Sequence, residues 1–124
     1  MELTVLASGS KGNCAYIRGE HGALLIDAGL SARETLRRIA NAGTDASLIE
    51  AILVTHEHID HVRGVDVLAR KLHVPVYATG GTLEAFSEKY GPTSADVRRC
   101  RRGEAFAVGD FSVEPFAASH DARD

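Results

Sequence analysis

Only two cysteines occur in the chain, Cys14 and Cys100, and they are isolated. With no CxxC pair and no disulfide framework to build, a reducing, cytoplasmic setting is expected. No apolar run is long enough to span a bilayer, so no membrane role is expected. The start, Met1-Glu2-Leu3-Thr4, lacks a basic segment followed by an apolar stretch, so no signal peptide is expected. Repeats, low-complexity tracts and linkers are also missing, and 124 residues suit one compact domain. The net charge of -3 is too mild to predict a nucleic-acid partner by itself. The polar loop Ser8-Gly9-Ser10-Lys11-Gly12-Asn13 is not a P-loop, because no GKS or GKT follows.

What is present is a strand-rich opening and then an alternation. Leu3 to Ala7, Cys14 to Arg18 and Ala23 to Ile26 read as strands joined by turns, implying an antiparallel start. Ser31 and Glu34 have capping-box spacing and open a helix that ends at Gly43. Ala51 to Val54 is a fourth strand. Val62, Val65, Leu68, Ala69 and Leu72 recur at helical spacing, with Pro75 at the exit. A short strand, Val76 to Ala78, precedes a helix carrying Leu83, Phe86 and Tyr90. Val97 to Cys100, Ala105 to Val108 and Phe111 to Ala117 read as further strands.

This order indicates a layered α/β fold. The runs Ala23–Ile26 and Ala51–Val54 are continuously apolar, as in strands covered on both faces. Three helices can cover one face. Nothing else in the chain obviously covers the other, so half of a sandwich is expected to be missing. Self-association through the uncovered face is one expected remedy.

The densest chemistry is His56-Glu57-His58-Ile59-Asp60-His61, with four potential ligands in six residues. Two residues apart in an extended segment, His56 and His58 point the same way and can reach one ion. Asp60 and His61 are adjacent and can diverge toward a second position. A buried strand before the cluster and an amphipathic helix after it form a rigid support. Imidazole and carboxylate donors suit zinc, and also manganese or iron. The run Arg98-Arg99-Cys100-Arg101-Arg102 can meet a nucleic-acid backbone, but a solvated strand end explains it better, since no stacking aromatic interleaves. The Ser8–Asn13 loop reads equally well as a tight interstrand loop or as a phosphate cradle using Ser10 or Asn13. His21 and His73 read as surface residues.

The six-residue cluster resembles the HxHxDH signature of the metallo-β-lactamase superfamily, whose fold is an αβ/βα sandwich of two similar halves. Ser8–Asn13, Asp27-Ala28-Gly29-Leu30 and Ser119-His120-Asp121-Ala122 are similar to the YycJ (WalJ) group, described as DNA exonucleases or DNA-processing hydrolases. The resemblance spans essentially residues 1–124 and implies an N-terminal half: a mixed sheet with helices on one face. It implies a two-metal site, usually zinc. His56, His58 and His120 would hold the first ion, and Asp60 and His61 the second. A bridging aspartate and a last histidine would come from an absent second half. Asp60 would also orient the nucleophile or relay its proton. Asp27 would stand behind the ligands, a role that can coexist with that of a strand-end aspartate capping the Gly29 turn. The implied activity is metal-dependent hydrolysis, with DNA phosphodiesters as substrate and nucleic acid as partner. A thioester, lactone or β-lactam hydrolase is the second reading. An inactive metal-binding or interaction module is the third, and little catalysis is expected from these 124 residues alone.

Overall fold

The computed structural model describes residues 1–116. Six strands form one sheet in sequence order: β1 (Glu2–Ala7), β2 (Cys14–Arg18), β3 (Ala23–Ile26), β4 (Ile49–Leu53), β5 (Val76–Thr79) and β6 (Val97–Cys100). The first three pair antiparallel, as tight turns at 8–13 and 19–22 dictate, and β3 to β6 pair in parallel. Every parallel connection carries helix: α1 (Ala32–Asn41), then α2 (Ile59–Val62) with α3 (Val65–Leu72), then α4 (Gly80–Tyr90).

One sheet face carries Tyr16, Leu25, Ile52 and Val76. These pack beneath the helices with Ile39, Val65 and Leu68 in the main core. Cys14 is buried in the same core, and burial followed by the nearby Asp27 charge pushes its thiol up to about 12. It therefore stays protonated at neutral pH.

The opposite face is not bare, which corrects the expectation that nothing in the chain covers it. A separate hairpin, β7 (Phe106–Val108) and β8 (Phe111–Val113), folds across it. Val108 and Phe111 form a second core with Leu24 and Ala51, flanked by Ile17, Leu53 and Tyr77. Tyr77 and Phe106 stack with ring centroids 4.9 Å apart. Alternation explains this: Phe106, Val108, Phe111 and Val113 point to one side of the ribbon. Short segments in a polar context gave little sign of where they would land. The hairpin leaves β1 uncovered, where Leu3 and Val5 remain 65% and 61% exposed. This narrower strip is what remains of the uncovered sheet face.

Two further differences from the periodicity concern local structure. The helix expected through residues 62–72 is split, because Gly64 N donates to Ala28 O at 2.8 Å. A Cβ at Gly64 would stand 2.2 Å from Leu30 O, so the α2–α3 break is where the β3–α1 loop presses in. The capping box of α1 is half formed. Ser31 Oγ accepts from Glu34 N at 3.1 Å, while the Glu34 carboxylate turns to Arg37 and Arg38.

Candidate metal centre

The parallel strands β3 and β4 end side by side and deliver Asp27 and the segment Thr55–His61 to one edge of the sheet. Asp27 is 5% exposed and lies in the left-handed region, at φ 61°. An aspartate tolerates that conformation better than most residues, but it still costs energy and persists because the surroundings fix it. Its N–H donates to Leu53 O at 2.7 Å.

The buried carboxylate accepts from every side. Thr55 N donates to Oδ1 at 2.7 Å and Thr55 Oγ1 donates to Oδ2 at 2.6 Å. His61 Nδ1 also reaches Oδ2, at 2.7 Å. A carboxylate only accepts, so His61 carries its proton on Nδ1. The Thr55 hydroxyl, having given its hydrogen to Asp27, accepts from His56 Nδ1 at 3.0 Å. One buried charge thus sets two imidazoles in the form whose Nε2 lone pair is free for a metal. Such outer contacts commonly orient metal ligands. Hydrogen bonding to Asp27, foremost, raises the His61 pKa. A metal reaching Nε2 would have to displace any proton held there.

The rings of His56 and His61 lie 4.8 Å apart between centroids, and those of His56 and His58 6.1 Å. His56 is thus closer to His61 than to His58, although sequence spacing paired it with His58. His61 Nε2 and Asp60 Oδ2 stand 3.7 Å apart. Two donors on one tetrahedral zinc, each roughly 2.0–2.1 Å away, stand about 3.4 Å from each other, so this pair suits a shared ion. Among the described residues, no three His, Cys, Asp or Glu groups already converge as a complete ligand set. His120 lies outside the described residues. The donor chemistry and the fixed tautomers fit a divalent metal, while a complete shell needs further donors.

Thr55 and Asn13 are the residues that sequence reasoning underused. Thr55 touches Asp27 and both candidate ligands His56 and His61, and its only signal was adjacency to the cluster. Asn13, one candidate for a phosphate cradle, lies against Asp60. The arginine run is partly engaged locally. Arg98 pairs with Asp96 at 2.9 Å and lies over the Tyr77 ring, and Arg99 approaches Glu84 at 3.6 Å. An apolar cavity of about 260 Å³ beneath α4, lined by Val54, Val76, Leu83, Phe86 and Val97 among others, contains none of the cluster.

Against known proteins, residues 23–124 match the model of the beta-lactamase superfamily domain. The chain belongs to the beta-lactamase superfamily. Over 100% of its length it is 41% identical to exodeoxyribonuclease YycJ of Bacillus anthracis, covering 47% of that protein. Over 98% it is 39% identical to exodeoxyribonuclease WalJ of Streptococcus pneumoniae serotype 2, covering 46%. The chain spans about half the length of these curated relatives. Among solved structures, a B3 metallo-beta-lactamase with an active-site glutamic acid superposes with a TM-score of 0.78 at 26% identity, over 96% of this chain and 50% of that one. The α/β architecture is thus that of the beta-lactamase superfamily, a fold that implies divalent-metal use. No helix among the described residues of this superfamily member is long and apolar enough to cross a membrane.

Proposed function

We propose that the protein carrying this chain is a metal-dependent hydrolase that cleaves DNA phosphodiesters. Zinc is the expected metal, with manganese or iron as substitutes. His56, His58 and His120 are assigned to one ion and Asp60 and His61 to a second. The observation that carries the reading is the Asp27 carboxylate, which binds Thr55 and His61 directly and His56 through the Thr55 hydroxyl. A surface histidine needs no such apparatus. Bound there, a divalent ion supplies Lewis acidity toward a phosphoryl oxygen and acidifies a water molecule.

The chain's own residues do the positioning. Asp27 holds the imidazoles, and Thr55 transmits its charge to His56. Asp60 keeps Oδ2 in a hydrogen bond with Asn13, while Oδ1 has no hydrogen-bond partner among the described residues. That oxygen is proposed to accept a proton or orient a nucleophile. DNA is favoured as substrate because two exodeoxyribonucleases match along nearly the whole chain, whereas likeness to the B3 enzyme at 26% identity supports the fold. The remaining ligands are assigned to the part of the protein outside this chain, so the 124 residues alone are proposed to be weak or inactive.

The test is cleavage of single- and double-stranded DNA by the complete protein loaded with zinc or manganese. Cleavage that stops on chelation and returns with metal is the expected result. Metal-loaded protein that leaves DNA intact, or that hydrolyses a thioester, lactone or β-lactam faster, would overturn the substrate assignment.

A further inference from the structure

The geometry points to Asn13 as a positioning residue for Asp60 and His61, a role that rests on the metal-dependent reading above. The Asn13 side chain is itself gripped at both ends by one residue. Its Nδ2 donates to Gly9 O at 2.9 Å, and Gly9 N donates to its Oδ1 at 3.2 Å. Gly9 has φ +116°, a conformation side-chain-bearing residues rarely adopt, which lets the loop curl around the amide. With Oδ1 committed to an N–H donor, Nδ2 must face the other way.

There it meets the candidate ligands. One Nδ2 hydrogen goes to Gly9 O, and the other is shared between Asp60 Oδ2 at 3.0 Å and Asp60 O at 3.2 Å, with His61 Nε2 lying 3.5 Å from Nδ2. The Asp60 and His61 side chains are 26% and 20% exposed, so neither is locked by burial alone. One neutral donor therefore fixes the Asp60 carboxylate and abuts the free nitrogen of His61. Backbone bonds, Asn13 N to Asp60 O at 2.7 Å and Gly29 N to Asn13 O at 2.9 Å, tie the loops independently of the side chain. Removing the amide should thus free the carboxylate without detaching the loop.

The experiment is calorimetric titration of zinc into the metal-free complete protein, comparing wild type with Asn13→Ala, Asn13→Leu and Ser10→Ala. Leucine keeps the shape of asparagine without its donor, so it controls for packing. Both Asn13 variants are expected to keep the first binding event and weaken the second roughly 10–100-fold. Their metal-free thermal midpoints should fall only modestly, through the lost bonds to Gly9 and Asp60, and Ser10→Ala should match wild type throughout. Unchanged second-site affinity in a wild type that binds two ions would overturn the role of Asn13 alone. A lower metal-free midpoint with normal metal binding would make Asn13 merely structural, and tighter binding would mean that the amide competes for the metal's space. Fewer than two ions bound by wild type would overturn the inference together with the two-metal reading. A two-ion protein inert toward DNA would overturn only the substrate assignment.

Discussion

Asp27→Asn is expected to lower the affinity for divalent metal by roughly 10–100-fold, the range seen when a partner behind a ligand is lost. The substitution is nearly isosteric, so the cause is hydrogen-bond direction. The carboxylate accepts from Thr55 N, Thr55 Oγ1 and His61 Nδ1. A carboxamide has one accepting oxygen. Thr55 N is a backbone donor that cannot reverse, so the oxygen goes to it and the NH₂ faces Thr55 Oγ1 and His61 Nδ1. His61 must then accept at Nδ1 and carry its proton on Nε2, the nitrogen a metal needs. The hydroxyl of Thr55 then accepts from that NH₂, and its own hydrogen, released from residue 27, can turn toward His56 Nδ1 and compete with the tautomer that frees Nε2. Calorimetry on the complete protein reads this as weaker metal binding with a modest change in the metal-free thermal midpoint. Equal affinity in wild type and variant would show that the imidazoles do not depend on Asp27.

Gly29→Ala is expected to destabilise the fold by about 3 kcal/mol, the upper end of typical overpacking costs. The reason is space. A Cβ on Gly29 would stand 1.8 Å from Asp60 O and 2.6 Å from Asn13 N. Both obstacles are backbone, and both belong to the hydrogen bonds that lace three loops together: Asn13 N to Asp60 O, Gly29 N to Asn13 O and Ala28 N to His61 O. The alanine can enter only by parting them, which also moves Asp60 and His61. Gly12→Ala is the useful contrast. Its Cβ would meet the Leu30 Cδ2 methyl at 2.7 Å, a side-chain end that can rotate. Its backbone obstacle, Gly29 O, stands 3.2 Å away. Chemical denaturation should rank Gly29→Ala well below Gly12→Ala in stability. The reverse order would mean that the junction is more pliant than its hydrogen bonds indicate.

These two residues mark where sequence reasoning reached its limit. The strands, the helical periodicities and the ligand-rich run at 56–61 are local patterns. Apolar spacing and residue type suffice to read them, whereas the role of Asp27 comes only from the family resemblance. Contacts between distant loops leave no such pattern. Asn13 meets Asp60 across 47 residues, and Gly29 and Gly64 look like ordinary turn glycines until another backbone lies against them. The hairpin at 106–113 was visible as strands, but its docking onto Leu24 and Ala51 depended on the sheet's tertiary arrangement. For the same reason the proximity of His56 to His61 escaped spacing arguments: the chain turns at His58 into α2 and brings His61 back.

The cluster at 56–61 is proposed to hold divalent metal through imidazoles preset by Asp27. The most direct measurement is zinc uptake by the complete protein at neutral pH, followed together with proton release, in wild type and in a His56→Ala/His58→Ala variant. Wild type should bind zinc with release of whatever protons its ligands hold, and the double variant should lose the first binding event. Zinc uptake of equal stoichiometry and affinity in both proteins would contradict the account.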